Sequence, residues 1–215
     1  MPYEIMKSNI VILANGDFPS HPVPLKQLSG ADKIICCDGA AGALVSAGME
    51  PDFIVGDLDS LDYAIRERFK ERIIHIPEQE TNDLTKAFDY SAGLNPSKIT
   101  ILGATGKRED HTIGNISLLS DFAGKVEFPV EMTSDYGILY PIFTTSTFKV
   151  KKGSRISIFS LDCDMAKEST GLQYPLKGVV FDYWWKATLN IASSDSFTLS
   201  RSEERRVGKE CRSRW

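Results

Sequence analysis

The chain has 215 residues, which is enough for one large domain or two smaller ones with a buried core. Apolar residues make up 42% of it and charged residues 25%, as in ordinary globular domains, and no stretch approaches the length that spans a bilayer. The formal net charge of −4 also disfavours a nucleic-acid-binding role.

The first residues show no charged region followed by a long apolar run, so no signal sequence is predicted. The four cysteines are Cys36, Cys37, Cys163 and Cys211, and their spacing is not that of a metal site. We interpret them as reduced thiols and predict a cytoplasmic location without membrane contact.

Residues 10–133 repeat one pattern, in which a short apolar run ends in polar or glycine residues and a helical pattern usually follows. Strands are predicted at 10–14, 33–37, 53–55, 72–76, 98–102 and 126–132, with helices at 40–47, 61–70, 83–92 and 112–123. The connection at 15–32 is rich in proline and glycine and is left unassigned. Alternating strands and helices predict a parallel sheet with helices on both faces, a three-layer α/β/α domain over residues 1–133.

From about residue 134 the helical periodicity disappears, and β-branched and aromatic residues alternate with polar ones. Short strands are predicted at 137–141, 145–150, 155–161, 172–174, 179–183, 187–190 and 196–199. Short strands at close spacing predict a small antiparallel β-sandwich domain over residues 134–200.

The last fifteen residues, 201–215, differ from the rest in composition. They carry six basic and three acidic residues, a net charge of +3, which leaves −7 for residues 1–200. One choice of codons for them spells a common sequencing-library adapter. We therefore interpret this tail as non-native, not as a nucleic-acid-binding arm, and leave it out of the fold prediction.

The strand ends of the first domain carry a series of acidic residues. Ligands of such sheets lie outside the carboxyl ends of the strands. Asp57 and Asp59 follow the third strand after Gly56, with Ser60 as the predicted N-cap of the next helix, and Asp83 follows the fourth strand. Acids two apart in an extended segment share one side, so we predict a Mg²⁺ site. The alternative is that Asp59 caps a helix, Asp57 is solvated, and Asp83 only stabilises the first turn of its helix.

The segment 103–111, which follows the fifth strand, supplies the opposite charge. Gly103 and Gly106 let backbone N–H groups approach a ligand, and Lys107 and Arg108 can bind phosphate oxygens. His111 either hydrogen-bonds phosphate or caps the following helix. The alternative for the whole segment is a solvated basic turn.

Taken in order, these motifs resemble those of the thiamine pyrophosphokinases, over about residues 10–199. They are DGAA at 38–41, GDLDS at 56–60, TNDLTKA at 81–87, the glycine at 103 followed by REDH at 108–111, and GLQYPL at 171–176. The resemblance implies a homodimer that moves the terminal pyrophosphoryl group of ATP to the hydroxyl of thiamine and releases AMP.

The resemblance also implies roles for individual residues. The acids that handle Mg²⁺ and the transferring phosphates are Asp57, Asp59 and Asp83, and Arg108 completes the predicted catalytic set. The nucleotide contacts are predicted from Asp38, Gly39, Gly103, Lys107, Arg108, Asp110 and His111.

In the C-terminal domain, the resemblance places two residues near thiamine. Tyr174 lies in the matching Leu-x-Tyr-Pro segment, where an aromatic face can hold the cationic thiazolium. Asn190 falls where the family has a Ser-Asn pair, although Leu189 replaces the serine. Trp184 and Trp185 can supply the aromatic face instead, or serve only in packing.

Two alternative functions stay open at this point. The same chemistry can act on another small alcohol such as a pterin, or the chain can be a non-catalytic sensor of Mg-ATP. The choice between Asp57 and Asp59 as acceptor of the hydroxyl proton also stays open.

Overall fold

A computed structural model describes residues 8–161 and 165–205, and the chain divides after Pro141 into two compact units. The strands of the first unit are β1 (Asn9–Leu13), β2 (Lys33–Cys37), β3 (Phe53–Gly56), β4 (Ile73–His75), β5 (Lys98–Leu102), β6 (Val130–Ser134) and β7 (Gly137–Leu139). Its helices are α1 (Pro22–Ser29), α2 (Ala41–Ser46), α3 (Tyr63–Arg68), α4 (Asp83–Gly93) and α5 (Glu109–Gly124). Single 3₁₀ turns cover Asp38–Ala40 and Lys70–Arg72.

The seven strands form one sheet in the order β4-β3-β2-β1-β5-β6-β7. The first six in this order pair in parallel, and β7 pairs antiparallel with β6. Strands β2 to β4 lie on one side of β1, whereas β5 and β6 lie on the other. The strand order therefore reverses between β1 and β5, where doubly wound sheets open a crevice for ligands.

Both faces of the sheet are buried, because alternate residues of each strand point to opposite sides. On one face, Ile10, Ile12 and Val55 pack with Phe88 of α4 and Phe122 of α5. The other face packs Val11, Leu13 and Ile54 against Leu28 of α1, Leu44 of α2 and Phe69. The predicted three-layer α/β/α architecture is confirmed.

Three helix starts differ from what the sequence suggested, and one of them is α5, which begins at Glu109 and not at residue 112. Helix α1 lies inside the unassigned connection: Pro22 opens it, where a proline is tolerated, and the His21 ring caps it by accepting from the Val23 N–H at 3.3 Å. Helix α3 is capped by Asp62, whose carboxylate accepts from the Ala64 N–H at 2.8 Å, so the predicted cap at Ser60 is wrong.

The second unit contains β8 (Ser146–Lys149), β9 (Arg155–Ile158), β10 (Met165–Thr170), β11 (Ala187–Ile191) and β12 (Ser196–Arg205). They form antiparallel sheets in the orders β10-β12-β8 and β11-β9, which confirms the predicted small antiparallel fold. Its core contains Leu176, Phe181 and Ala187. The predicted strand at 179–183 is irregular, and the one at 172–174 is reduced to a single bridge from Leu172 to Ala192.

The observed division falls after Pro141, eight residues beyond the predicted end of the first domain, because β7 joins the first sheet. Strand β12 continues to Arg205, into the segment interpreted as a tail. Residues 206–215, with Cys211, and also Cys163 lie outside the described residues. Among the helices of residues 8–161 and 165–205, none combines the length and the apolar content needed to cross a membrane.

Candidate active site

Three carboxylates from three different elements converge at the carboxyl edge of the sheet. Asp38, Asp57 and Asp83 each place one oxygen within 4.8 Å of the others, and we name this group the acid cluster. Asp38 follows β2, Asp57 follows β3, and Asp83 opens α4 after β4. Because these strands are parallel neighbours, their carboxyl ends reach the same edge and bring the three side chains together.

Asp38 is the buried member of the cluster, with 2% of the residue exposed. Its carboxylate accepts from the Gly39 N–H at 2.6 Å and from the Ser60 N–H at 3.4 Å. Gly56 packs directly against it: a Cβ there would lie 2.9 Å from both Cβ and Cγ of Asp38. The missing side chain of Gly56 therefore makes room for the buried carboxylate.

The segment from Asp57 to Asp59 is a tight turn and not an extended chain. Leu58 has a φ of +73° and a buried side chain, a conformation that costs about 1–3 kcal/mol in a non-glycine residue. Asp59 therefore does not share a side with Asp57; its side chain is exposed, and its N–H donates to Asp57 at 3.1 Å. The acid cluster thus contains Asp38, whereas the sequence predicted Asp59 as the third acid.

Asp57 is held by donors on two sides. The Asp59 N–H and then the Gln79 side chain, which donates at 2.8 Å, lower the pKa of the Asp57 carboxyl. The pKa of Asp83 is raised, first by partial burial and then by the charges of Asp38 and Asp57. Hydrogen bonds to the ionised form lower the pKa of a carboxyl, whereas burial and neighbouring negative charges raise it.

Lys86 is a functional candidate that the sequence analysis did not select. It is 3% exposed, and its Nζ lies 3.5 Å from Asp57 Oδ2 and 3.6 Å from Asp83 Oδ1. The sequence feature that could have identified Lys86 is its spacing from Asp83, since residues three apart lie on one face of a helix. One lysine against three carboxylates leaves two negative charges, and hard oxygen donors of this kind suit Mg²⁺.

The loop after β5 is joined to the loop after β1 by backbone hydrogen bonds. The pairing of the two strands continues past their ends through Gly16 N–H to Gly103 O at 2.6 Å and Asp17 N–H to Thr105 O at 2.8 Å. Gly103 has a φ of +62°, in the left-handed region that glycine adopts without strain. The segment 103–111 is therefore fixed against the end of β1.

Asn15 connects the basic segment to the acid cluster and was also missed as a site residue. Lys107 Nζ donates to the Asn15 backbone oxygen at 3.0 Å and to its Oδ1 at 3.1 Å. On its other side Asn15 packs against Gly39, where a Cβ would lie 2.2 Å from Asn15 Nδ2. Since Gly39 follows Asp38, the predicted nucleotide contacts Gly39 and Lys107 lie on one rim with the cluster.

Arg108 and Asp110 form a pair of their own. The guanidinium donates to both carboxylate oxygens, at 3.1 and 2.5 Å, and lowers the pKa of Asp110 to about 2. Both side chains are 65% exposed, and the His111 N–H also donates to Asp110 at 2.9 Å. Arg108 thus lies directly before α5 with its planar guanidinium turned to a carboxylate, the geometry that also suits phosphate.

In the second unit, the side chain of Asn190 holds the backbone of Tyr174. Its Nδ2 donates to the Tyr174 oxygen at 2.7 Å, and its Oδ1 accepts from the Tyr174 N–H at 3.1 Å. Asn190 is 3% exposed, whereas Tyr174 is 59% exposed. The buried amide therefore positions the segment that presents an exposed aromatic ring.

The two predicted tryptophans are also accessible aromatic surfaces. Trp184 and Trp185 are each about half exposed. Trp184 lies 5.1 Å from the Phe159 ring and Trp185 lies 5.7 Å from the Tyr183 ring, measured between centroids. The second unit thus presents aromatic faces of the kind that bind flat or cationic ligands.

Known proteins match both units. The family model for the thiamin pyrophosphokinase catalytic domain matches residues 25–130, and the model for its substrate-binding domain matches residues 137–205. Thiamine pyrophosphokinase of Bacillus subtilis (strain 168) is 36% identical over 86 residues, a match that covers 38% of this chain and only 40% of the relative. Thiamine pyrophosphokinase 3 of Oryza sativa subsp. japonica is 27% identical over 198 residues, covering 77% of this chain and 73% of the relative.

Solved structures of thiamin pyrophosphokinases share this fold. The crystal structure of thiamin pyrophosphokinase from Geobacillus thermodenitrificans superposes with a TM-score of 0.74 at 25% identity, covering 94% of this chain and 99% of that one. Two matched domain models, in the family's order, together account for most of the sequence. The chain belongs to the thiamin pyrophosphokinase family.

Proposed function

We propose that the chain transfers the pyrophosphoryl group of ATP to the hydroxyl of thiamine, which gives thiamine diphosphate and AMP. The observation that carries this proposal is the acid cluster with its buried Lys86, on one rim with the basic segment 103–111. Family membership names the substrates, and the cluster and the segment supply the charges that a polyphosphate reaction needs.

In this reaction the thiamine oxygen attacks the β-phosphorus of ATP, the bond to the α,β-bridging oxygen breaks, and AMP leaves. Such a transfer needs in-line positioning and charge neutralisation more than covalent help from the protein. Asp38, Asp57 and Asp83 would hold Mg²⁺, which when bound neutralises charge on the phosphates. Lys86 keeps the carboxylates of Asp57 and Asp83 together.

The basic segment provides the other positive charges. We assign Arg108 to bind the phosphate oxygens that gain charge during transfer. To do so, its guanidinium releases the Asp110 carboxylate and binds phosphate in its place. Lys107 is anchored on Asn15 and adds a second cation at the same rim. Gly103, Asp110 and His111 complete the proposed nucleotide contacts.

The proton of the thiamine hydroxyl requires an acceptor. The Asp57 carboxylate already accepts hydrogen bonds from the Asp59 N–H at 3.1 Å and from the Gln79 side chain at 2.8 Å. Asp59 has an exposed side chain two residues after Asp57, and we keep it in the proposed catalytic set. We therefore assign the proton to Asp59.

For thiamine we propose the exposed aromatic faces of the second unit. Tyr174, positioned by Asn190, offers a ring to the cationic thiazolium, with Trp184 or Trp185 as the alternative. A homodimer and a cytoplasmic location, which the resemblance and the cysteine usage predict, remain part of this proposal.

The test is to incubate the chain with ATP, Mg²⁺ and thiamine and to quantify AMP, ADP and thiamine diphosphate by chromatography. We expect AMP and thiamine diphosphate in equal amounts. Formation of AMP with a hydroxymethyl pterin but not with thiamine favours the other alcohol. Thermal stabilisation by Mg-ATP without any AMP favours the sensor, and ADP as product contradicts the proposed reaction.

A further inference from the structure

Leu189 in the second unit is an exposed leucine in a backbone conformation that leucine rarely adopts. Its φ is +61°, in the left-handed region where a Cβ is crowded, and 81% of the residue is exposed. We propose that Leu189 is a specificity-determining contact for the alcohol substrate, with its apolar side chain packed against the ring system of thiamine. The inference rests on the proposed function, because it assigns a further contact to the same substrate.

A β-bulge produces the conformation of Leu189. The register of β11 against β9 shifts between Ala187 and Asn190. Within that interval two residues of β11, Thr188 and Leu189, oppose Ser157 alone. The Leu189 N–H donates to the Ser157 hydroxyl oxygen at 3.2 Å, which fixes the bulge. Bulges of this kind redirect a side chain, usually have glycine in the left-handed position, and are common next to functional sites.

Packing inside the second unit does not account for a leucine at this position. The left-handed conformation lowers stability for a residue that carries a Cβ, and glycine would adopt it without that loss. A side chain that is 81% exposed recovers little stability by burial. Strain of this kind, kept without a gain in packing, is typical of residues that contact a ligand.

The backbone around Leu189 places it beside the aromatic residues proposed for thiamine. The side chain of Asn190, the next residue, holds both backbone polar groups of Tyr174. On the other side of Leu189 in the sequence, the Thr188 N–H donates to the Trp185 backbone oxygen at 3.1 Å. Leu189 is therefore one residue away from the anchors of Tyr174 and Trp185, each of which is more than half exposed.

The chemistry of leucine determines what kind of contact it makes. An aromatic face attracts the charge of the thiazolium, whereas leucine packs only against apolar ring atoms and methyl groups. The Ser-Asn pair of the family has a serine at the place of Leu189, and a serine hydroxyl both donates and accepts hydrogen bonds. Against Leu189, a polar group of the ligand would be left unpaired, so this position favours a ligand with an apolar edge.

The test measures steady-state kinetics of thiamine-dependent AMP formation and, separately, calorimetric binding of thiamine. Leu189→Gly removes the side chain and relieves the backbone, so we expect its melting temperature to rise by about 2–4 °C. Its KM and Kd for thiamine are expected to rise by about tenfold. Its kcat stays within about threefold of wild type, because a contact made equally in the ground state and the transition state affects only binding. The KM for ATP stays unchanged.

Two further substitutions at the same position separate an apolar contact from other roles. Leu189→Met keeps an apolar side chain and is expected to keep the wild-type KM for thiamine. Leu189→Ser is expected to show the same rise in KM as Leu189→Gly without the gain in melting temperature. Leu161→Ala removes a leucine side chain of the same unit that is 73% exposed, and as the matched control it leaves the KM unchanged.

A wild-type KM and Kd for thiamine in Leu189→Gly or in Leu189→Ser would overturn the inference, as would a loss that ATP binding shares. Sedimentation velocity is measured for each variant, and a change of oligomeric state in Leu189→Gly would also overturn it, because Leu189 would then contact a second copy of the chain. If the wild-type chain binds thiamine but forms no AMP, the proposed function fails, while weaker thiamine binding by Leu189→Gly still supports the inference. A wild-type chain that does not bind thiamine contradicts both.

Discussion

The buried ammonium of Lys86 lies within 3.6 Å of two of the three carboxylates of the acid cluster, Asp57 and Asp83. Replacing it by methionine removes the charge while nearly keeping the volume, and leaves three carboxylates to repel one another. Removing one partner of a fully buried pair costs roughly 3–5 kcal/mol. Because the Asp83 side chain is 35% exposed, we expect Lys86→Met to lose only about 1–3 kcal/mol of stability.

The loss in the free energy of unfolding is measured by urea denaturation in EDTA and again in excess Mg²⁺. We expect Lys86→Met to be destabilised in EDTA and to recover more stability from Mg²⁺ than the wild-type chain does, while Lys86→Arg stays near wild type. Lys26→Met, at an exposed position on α1, is the control. If Lys86→Met unfolds in EDTA at the wild-type urea concentration, the ammonium does not stabilise the cluster.

Also at the residue scale, the sequence predicted Asp57 and Asp83 as metal ligands, together with Asp59, and predicted Asp38 only as a nucleotide contact. Position after an apolar strand is enough to place an acid at the sheet edge. It does not give the backbone conformation of the next residue, and the left-handed Leu58 turns Asp59 away from Asp57. Lys86 and Asn15 were missed because an isolated lysine or asparagine is ordinary until the contacts around it are known.

At the scale of elements, two glycines test how closely the loops of the first unit are packed. Gly106 has a φ of +84°, and a Cβ there would lie 1.9 Å from Asp17 Oδ2, whereas a Cβ on Gly114 inside α5 meets no atom within 4 Å. Gly106→Ala is therefore expected to cost about 1–3 kcal/mol. Gly114→Ala is expected to gain about 0.5–1 kcal/mol, because alanine favours the helix interior.

Both variants are compared by chemical denaturation and by affinity for Mg-ATP. The expected result is opposite signs in the free energy of unfolding, with weakened ATP binding confined to Gly106→Ala. Two variants of equal stability, or tight ATP binding by Gly106→Ala, would mean that the loop tolerates a side chain and is not fixed as described.

The link between the loop after β1 and the turn after β6 gives a pH-dependent prediction. The Ser20 hydroxyl first, and then the N–H groups of His21 and Ser20, lower the pKa of Asp135. A carboxyl with a lowered pKa in the folded chain stabilises the fold above its ordinary pKa of about 3.9 and loses that effect as the pH falls through the folded value. Protection of the Ser20 and His21 amides should therefore be present at neutral pH and lost on acidification.

Amide hydrogen exchange, expressed as protection factors to remove the intrinsic pH dependence, measures this directly. In Asp135→Asn the two amides should be less protected at neutral pH and should show no further loss on acidification. Wild-type protection that does not change down to pH 2 would contradict the assignment of these bonds to an ionised Asp135.

The elements themselves were predicted best where both faces of a strand are buried. Strands β2 and β5 coincide with their predicted bounds, because a strand in a covered parallel sheet is a continuous apolar run. Helix α1 was missed because prolines that open a helix look like loop residues. Strand β10 was missed because its sequence, MAKEST, is mostly polar and has a single β-branched residue, Thr170.

For the whole molecule, the alternation of strands and helices was enough to predict that Asp57 and Asp83 meet at one edge of the sheet. Lys107 donates to Asn15, and Asn15 packs against Gly39. Carboxylate oxygens of Asp38 and Asp83 lie within 4.8 Å of each other, because parallel strands end at a common edge. The choice of members depends on turns and on close packing at Gly56 and Gly39, which periodicity does not report. The basic and acidic parts of this rim together form the site we propose for a polyphosphate reaction.

The most direct test of this account compares Asp57→Asn with the control Asp121→Asn in thiamine-dependent AMP formation. Circular dichroism and the melting temperature establish that each variant is folded. We predict that Asp57→Asn loses turnover by about a hundredfold or more, because the weakened acid cluster would no longer hold the Mg²⁺ that neutralises the phosphates, while Asp121→Asn, at an exposed position on α5, keeps the wild-type rate. A folded Asp57→Asn that forms AMP at nearly the wild-type rate would contradict the central claim that the acid cluster supports the reaction.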